Sequence, residues 1–133
     1  MTAPSTELLG LVAAAVLGLV HIILASHSAS LQRGYRWSAG ARDEPLPPLI
    51  GIAGRLARAS SNFLETFPLF AAGVLAVVVT GTQSAWSKWG IILYIGGRVA
   101  YLSLYVFGVF VLRSIAWNVA IAGIVAMYAA LFV

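Results

Sequence analysis

Apolar residues run almost unbroken from about Leu8 to about Ala25, with His21 as the one interruption. About 18 residues at about 1.5 Å each cover about 27 Å, close to the hydrocarbon thickness of a bilayer, so this stretch predicts a spanning helix. Ser26 to Pro48 is the one substantial polar stretch; it holds Arg33, Arg36, Arg42, Asp43 and Glu44 and closes with Pro45, Pro47 and Pro48. The prolines stop any helix, and Pro48 suits the first turn of the next one. A second span is predicted from about Leu49 to Thr80. Its first half, around Arg55 to Glu65, is polar, and its second half, Phe67 to Val79, is apolar. Such a helix should start outside the hydrocarbon and dip inward. Pro68 should kink it, because its ring clashes with the carbonyl of Leu64. Gly81 to Lys88 reads as a short turn, with Trp86 and Trp89 marking the interface that indole rings prefer. A third span follows from about Trp89 to Leu112 and contains Arg98. Arg113-Ser114 then reads as a tight turn, and a fourth span runs from about Ile115 to Val133.

The expected fold class is therefore all-α: an integral membrane four-helix bundle, a single domain over residues 1–133 with spans at about 8–25, 49–80, 89–112 and 115–133. Composition supports it. The chain has 133 residues, 61% hydrophobic and 9% charged, against about 25% charged in a typical soluble domain. Four acidic and eight basic side chains cannot coat a water-facing surface, so lipid must be the main solvent. There is no cysteine, which excludes disulfides and any thiolate of the protein's own. No His/Asp/Glu cluster has metal-ligand spacing, so no metal is expected. The net charge of +4 has no basic soluble module behind it, so nucleic acid is not expected as a partner. Met1 to Glu7 lacks the basic start of a secretory signal. Ala25-Ser26-His27-Ser28-Ala29 is small enough to mimic a cleavage site, but three further spans need no leader, so an uncleaved N-terminus is expected.

The charges read as topology signals instead. Arg33, Arg36 and Arg42, with Arg55 and Arg58 just beyond, fall on the same side as Arg113 if there are four spans, and the other side offers only Lys88. The positive-inside rule then puts both termini outside the cytoplasm.

Two constellations could carry chemistry. Arg58, Asn62 and Glu65 are spaced i, i+4, i+7 and share a helix face, with Arg55 one turn before. A cation, an amide and a carboxylate in a row could hold a ligand bearing both charge types; equally, an internal Arg–Glu bridge could let a polar helix end sit near lipid. Arg98, Tyr101 and Tyr105 are spaced i, i+3, i+7 on the third span, with Tyr94 four before Arg98. A charge inside a span is costly and should face protein, water or a partner charge. Glu65 is the acidic residue available within a span, so an Arg98–Glu65 coupling, direct or through a ligand, is expected. His21 and His27 read as hydrogen-bonded packing rather than catalysts, Asn118 as a cross-helix bond, and Gly96-Gly97, Gly108 and the Gly10/Gly18 stripe as permitting close helix contact.

Together the two constellations resemble the MAPEG family, the membrane-associated proteins in eicosanoid and glutathione metabolism. The matching stretches are Arg58-Ala59-x-x-Asn62-x-x-Glu65-x-x-Pro68, then Gly97-Arg98-x-x-Tyr101-x-x-x-Tyr105, then Arg113-Ser114. Their order, spacing and placement carry the resemblance over about Arg55 to Ser114; length, four spans and a long first loop also fit. The resemblance implies a four-helix protomer that assembles as a homotrimer. It implies glutathione as the cofactor, bound between protomers near the cytoplasmic face, with Arg58, Asn62, Glu65, Arg98 and Tyr101 as its binding residues. The catalytic positions would be Arg113, Ser114 and Tyr105, beside the thiolate. It implies glutathione transfer or peroxide reduction on a lipophilic substrate arriving from membrane lipid.

This chain departs from the family at several points. Active relatives often carry an arginine just before the asparagine and a histidine before that; here these are Ser61 and Ser60. A histidine seen in some relatives one turn after the third-span arginine is Tyr101, and the connection from Tyr105 to Arg113 is shorter. The chain is similar to bacterial-type members, which implies the inner membrane, with a thinned anion site. Weak glutathione binding and modest thiolate stabilisation are therefore expected. The alternative is a non-catalytic membrane protein whose Arg/Asn/Glu site is structural or holds a lipid-like amphiphile. A small transporter fits less well, because no inverted repeat is visible.

Overall fold

The computed structural model describes residues 3–133, so the reading of Met1 as the start of an uncleaved chain lies outside the described residues. Five helices follow one another: α1 (Thr6–Arg33), α2 (Tyr35–Ala39), α3 (Gly51–Thr80), α4 (Ala85–Val106) and α5 (Phe110–Ala129). Among the described residues there is no strand. All but α2 are long and apolar enough to cross a bilayer. The fold is the expected all-α bundle of four spans, and the protein is an integral membrane protein.

Local chemistry sets the helix ends. Ser5 caps α1, its side chain accepting from the Leu8 amide at 3.2 Å, and Glu7 sits in the positive first turn. Gly34, at φ 91°, ends α1. Gly81 closes α3 in the left-handed conformation, with the Thr82 amide bonded back to the Val77 carbonyl at 3.1 Å. α3 runs through Pro68 as one helix. One residue later the Tyr128 hydroxyl donates to the Leu69 carbonyl at 2.9 Å, a tie from α5 to α3.

The last turn lies elsewhere than the sequence suggests. α4 ends at Val106 and α5 begins at Phe110, with Gly108 between them at φ 76°. Phe107 to Leu112 is apolar on either side of that glycine, so polarity draws attention to Arg113-Ser114, whereas backbone freedom places the turn at Gly108. Arg113 and Ser114 are thus helical, in the first turns of α5. Arg55 braces this corner, its Nη1 donating to the Val106 carbonyl at 3.0 Å.

α1 packs along α3, and α4 and α5 form the most extensive pair. The core holds Phe63, Phe70, Val74, Val77, Tyr94 and Met127, all with no exposed surface. Phe70 and Tyr94 stack at 4.0 Å, and the Tyr94 hydroxyl meets Thr66 Oγ1 at 3.2 Å. Away from the core the helices expose Leu9, Val12, Val16, Leu19 and Ile23 on α1 and Leu69, Leu75 and Val79 on α3. An aliphatic exterior of this kind belongs in lipid. Trp86 and Trp89 are exposed at the start of α4, where the interface was expected.

Without a strong hydrophobic drive between helices in lipid, close packing must hold α4 to α5. A Cβ at Gly123 would sit 2.5 Å from the Tyr94 amide nitrogen and 2.7 Å from the Gly90 carbonyl oxygen, both backbone atoms that cannot swing away. Gly123→Ala should therefore destabilise the fold by about 1–3 kcal/mol, seen as a lower unfolding midpoint in a fixed detergent. An unchanged midpoint would mean that the two helices can separate freely.

Candidate functional site

α3 carries two faces. Ala59, Phe63, Thr66 and Phe70 are buried, while Arg58, Ser61, Glu65, Pro68 and Leu69 form an exposed stripe. Asn62 lies between them, half-buried. From α4, Arg98 meets this boundary with no exposed surface at all. Its Nη1 donates to Asn62 Oδ1 at 2.8 Å, and Nε and Nη2 are buried with no hydrogen-bond partner. Two aromatic faces flank it: its guanidinium carbon lies 4.8 Å from the Tyr101 ring centroid and 5.2 Å from that of Phe63.

Every nitrogen of Arg98 is accounted for, and none bonds to Glu65. The direct Arg98–Glu65 bridge suggested by the sequence is not formed. Glu65, one turn beyond Asn62 on the same side of α3, is exposed while Asn62 is half-buried against α4. Arg98 itself lies behind Asn62 and Tyr101, with no exposed surface. A guanidinium can only donate, so the bond fixes Asn62 with Oδ1 inward and leaves its NH₂ for another acceptor.

The second layer centres on Tyr105. Arg58 Nε donates to its hydroxyl at 3.0 Å, and the Arg113 guanidinium carbon lies 4.6 Å from its ring centroid. Tyr101 and Tyr105 meet edge to face at 5.4 Å. Asn62, Tyr101, Arg113, Ser114, Trp117 and Asn118 then line one open cleft of about 210 Å³. The structure thus brings Asn62, Tyr101, Arg113 and Ser114 together, sets Tyr105 and Arg58 beside them, holds Arg98 behind them, and leaves Glu65 on the exterior. Three arginines against one carboxylate give the region a positive field.

Two lining residues were missed or undervalued from sequence. Trp117 reads as one more apolar position of a span, yet its Nε1–H is buried without a partner. Asn118 donates to the Ser114 carbonyl at 2.9 Å within its own helix rather than across helices. Ser114 Oγ likewise donates to the Phe110 carbonyl at 3.1 Å, so its lone pairs face outward while its proton is taken.

Away from the cleft, His21 is buried, bonded through Nδ1 to the Leu17 carbonyl at 2.8 Å and stacked on Phe63 at 4.5 Å, as its packing role requires. Glu7 is buried too, accepting from Ser87 Oγ at 2.7 Å at the far end of the bundle. Among the described residues no group of three or more His, Asp or Glu could hold a metal ion.

The model of the MAPEG family matches residues 10–133, nearly the whole chain. No curated protein and no solved structure matches.

Proposed function

The chain belongs to the MAPEG family, and from that premise we propose that the cleft between α3, α4 and α5 binds glutathione and presents its thiol to lipophilic substrates dissolved in the bilayer. The observation that carries the reading is the convergence of Asn62, Tyr101, Arg113 and Ser114 on one cleft, with Arg58 clasping Tyr105 at its edge. Glutathione bears two carboxylates and an ammonium, so several arginines with one carboxylate are its chemical complement. In this reading Arg58 and the Asn62 amide hold carboxylates, and Glu65 takes the ammonium. Arg98 keeps Asn62 aimed. Arg113 and the Tyr105 hydroxyl stabilise the thiolate, and Ser114 joins them by releasing its bond to the Phe110 carbonyl and turning its proton to the sulfur. Transfer or peroxide reduction would follow from that thiolate.

The same reading explains the exposed stripe on α3. A cleft of about 210 Å³ is below the about 300 Å³ at which ligand pockets usually begin. Arg58, Ser61 and Glu65 are left uncovered beside it, and exposed charge is costly next to hydrocarbon. A neighbouring copy laid along α3 would cover the stripe and complete the pocket, as a homotrimer does by closed symmetry. The charge asymmetry, with Arg33, Arg36, Arg42, Arg55, Arg58 and Arg113 against Lys88 at the other end, supports a reading in which the site faces the cytoplasm from a bacterial inner membrane and both termini lie outside.

Native mass spectrometry of the detergent-solubilised chain tests both parts. The expected spectrum is a trimer that takes up glutathione in whole units. Monomer alone across protein concentrations, with no adduct, would overturn the proposal and favour the reading of the site as a structural feature or a lipid-like amphiphile's seat.

A further inference from the structure

The polar end of α1 builds a second cavity, distinct from the cleft. Its volume is about 360 Å³, and His27, Arg33, Tyr35, Trp37, Ser38 and Arg42 are among its walls. No carboxylate lines it, while two guanidiniums do. Arg33 and Arg42 both lie against the Trp37 ring, their guanidinium carbons 5.1 Å and 5.9 Å from its centroid. Arg33 Nε is buried with no partner, and its Nη2 reaches only the Pro47 carbonyl at 3.5 Å, a long contact. Arg42 is the one non-glycine residue with positive φ among the described residues, at 61°. That backbone is strained for a side chain of this size, and strain of this sort collects at binding sites. Two bonds to the Ser38 carbonyl, at 3.0 and 2.7 Å, hold Arg42 in place. His27 Nδ1 and the Tyr35 hydroxyl meet at 3.0 Å on another wall. Asp43 and Glu44 line an adjoining hollow with Trp37 and Arg42 rather than this cavity.

Depth identifies the ligand. The cavity's walls begin at Ser26, directly after the apolar run that ends at Ala25, and α1 exposes Ile22, Ile23 and Leu24 to lipid up to that level. Tyr35 and Trp37 stand where an interfacial aromatic belt is expected. Setting the hydrocarbon edge at the end of that apolar run puts the cavity level with the headgroups, on the arginine-rich side.

We propose that this cavity binds the phosphate of an anionic phospholipid headgroup. Two guanidiniums, one with a free buried donor, match phosphate oxygens, and the aromatic wall accepts the glycerol and the first methylenes. Free inorganic phosphate shares the anion chemistry but has no use for the lipid-facing position.

The test is lipid retention by the full chain in mild detergent, counted by native mass spectrometry, with phosphatidylglycerol and phosphatidylcholine as probes. Wild type should prefer phosphatidylglycerol by about tenfold, as expected for cations near an anionic headgroup. Arg33→Ala with Arg42→Ala should abolish the preference. Arg36→Ala removes a charge from α2, between the two arginines in sequence, without lining the cavity, and should keep it. If Arg36→Ala loses the preference equally, the effect is diffuse surface charge and the proposal fails. It also fails if inorganic phosphate binds while phosphatidylglycerol shows no advantage over phosphatidylcholine. Displacement of the lipid by millimolar glutathione would assign the cavity to the thiol-peptide site instead and overturn the proposal. Should the double variant not fold, Arg42→Gln alone decides: the preference must fall, and an unchanged preference overturns the assignment.

Discussion

Replacing Asn62 by leucine is expected to cost about 3 kcal/mol of folding stability, because it leaves a buried cation without an acceptor. Arg98 has no exposed surface, and Asn62 Oδ1 is its one hydrogen-bond acceptor. The flanking rings of Tyr101 and Phe63, at 4.8 and 5.2 Å, give cation–π attraction but no lone pair. Adding Arg98→Leu should recover at least half of the loss, since exchanging a buried polar pair for apolar side chains is often neutral. The measurement is a double-mutant cycle on denaturation midpoints in one detergent. Strictly additive effects would show that Asn62 and Arg98 do not depend on each other. Glutathione affinity should fall in all three variants, because each one loses the aimed amide.

Arg113→Ala carries the second large effect, on chemistry rather than stability. A free thiol has a pKa near 8.5, so only about a few per cent is thiolate at pH 7. If the cleft holds glutathione as proposed, the cation nearest the sulfur must shift that balance. Arg113 lies in the first turns of α5, half-buried, over the Tyr105 ring and in the cleft wall. Water screens it less there than at an exposed loop. Removing a fixed donor from a developing anion costs about 10²-fold in rate in comparable sites, and a loss of that order is expected for thiol addition to an electrophilic nitroarene. Tyr105→Phe should cost less, because a neutral hydroxyl stabilises an anion less than a cation does; Arg58 Nε donates to that hydroxyl at 3.0 Å, which leaves its proton for the sulfur. A strong bound-thiolate absorbance near pH 6 that survives both substitutions would remove Arg113 and Tyr105 from thiol activation.

Much of the fold was legible because lipid imposes a simple rule: apolar runs of bilayer length become helices. The spans around Val12, Val74, Ile92 and Ile124 follow from that rule alone. The turn at Gly108 does not, since the residues around it are as apolar as a span, and only the left-handed backbone singles it out. Misplacing it set Arg113 in a surface turn rather than on a helix wall. Spacing also named the polar face of α3 correctly but not which member points inward. Asn62 and Glu65 are one turn apart, and only packing against α4 decides that Asn62 meets Arg98 while Glu65 faces out. Glu7 was hidden by its place near the chain end; its burial depends on Ser87, far away in sequence. Trp117 was hidden inside an apolar run, and nothing short of the assembled cleft shows that its N–H lacks a partner. The short helix α2 arises in the polar stretch, where composition carries no helical period.

The central claim is that the cleft is a glutathione site, and calorimetric titration of the detergent-solubilised protein tests it most directly. Glutathione should give saturable heat in the micromolar to millimolar range, Ser61→Arg should tighten it by adding a cation to the same face, and Asn62→Leu should flatten the curve. A matched peptide without the thiol should bind through the same carboxylates but more weakly, by the share that the Arg113 end contributes. No heat at millimolar glutathione, or equal heat from wild type and Asn62→Leu, would contradict the account.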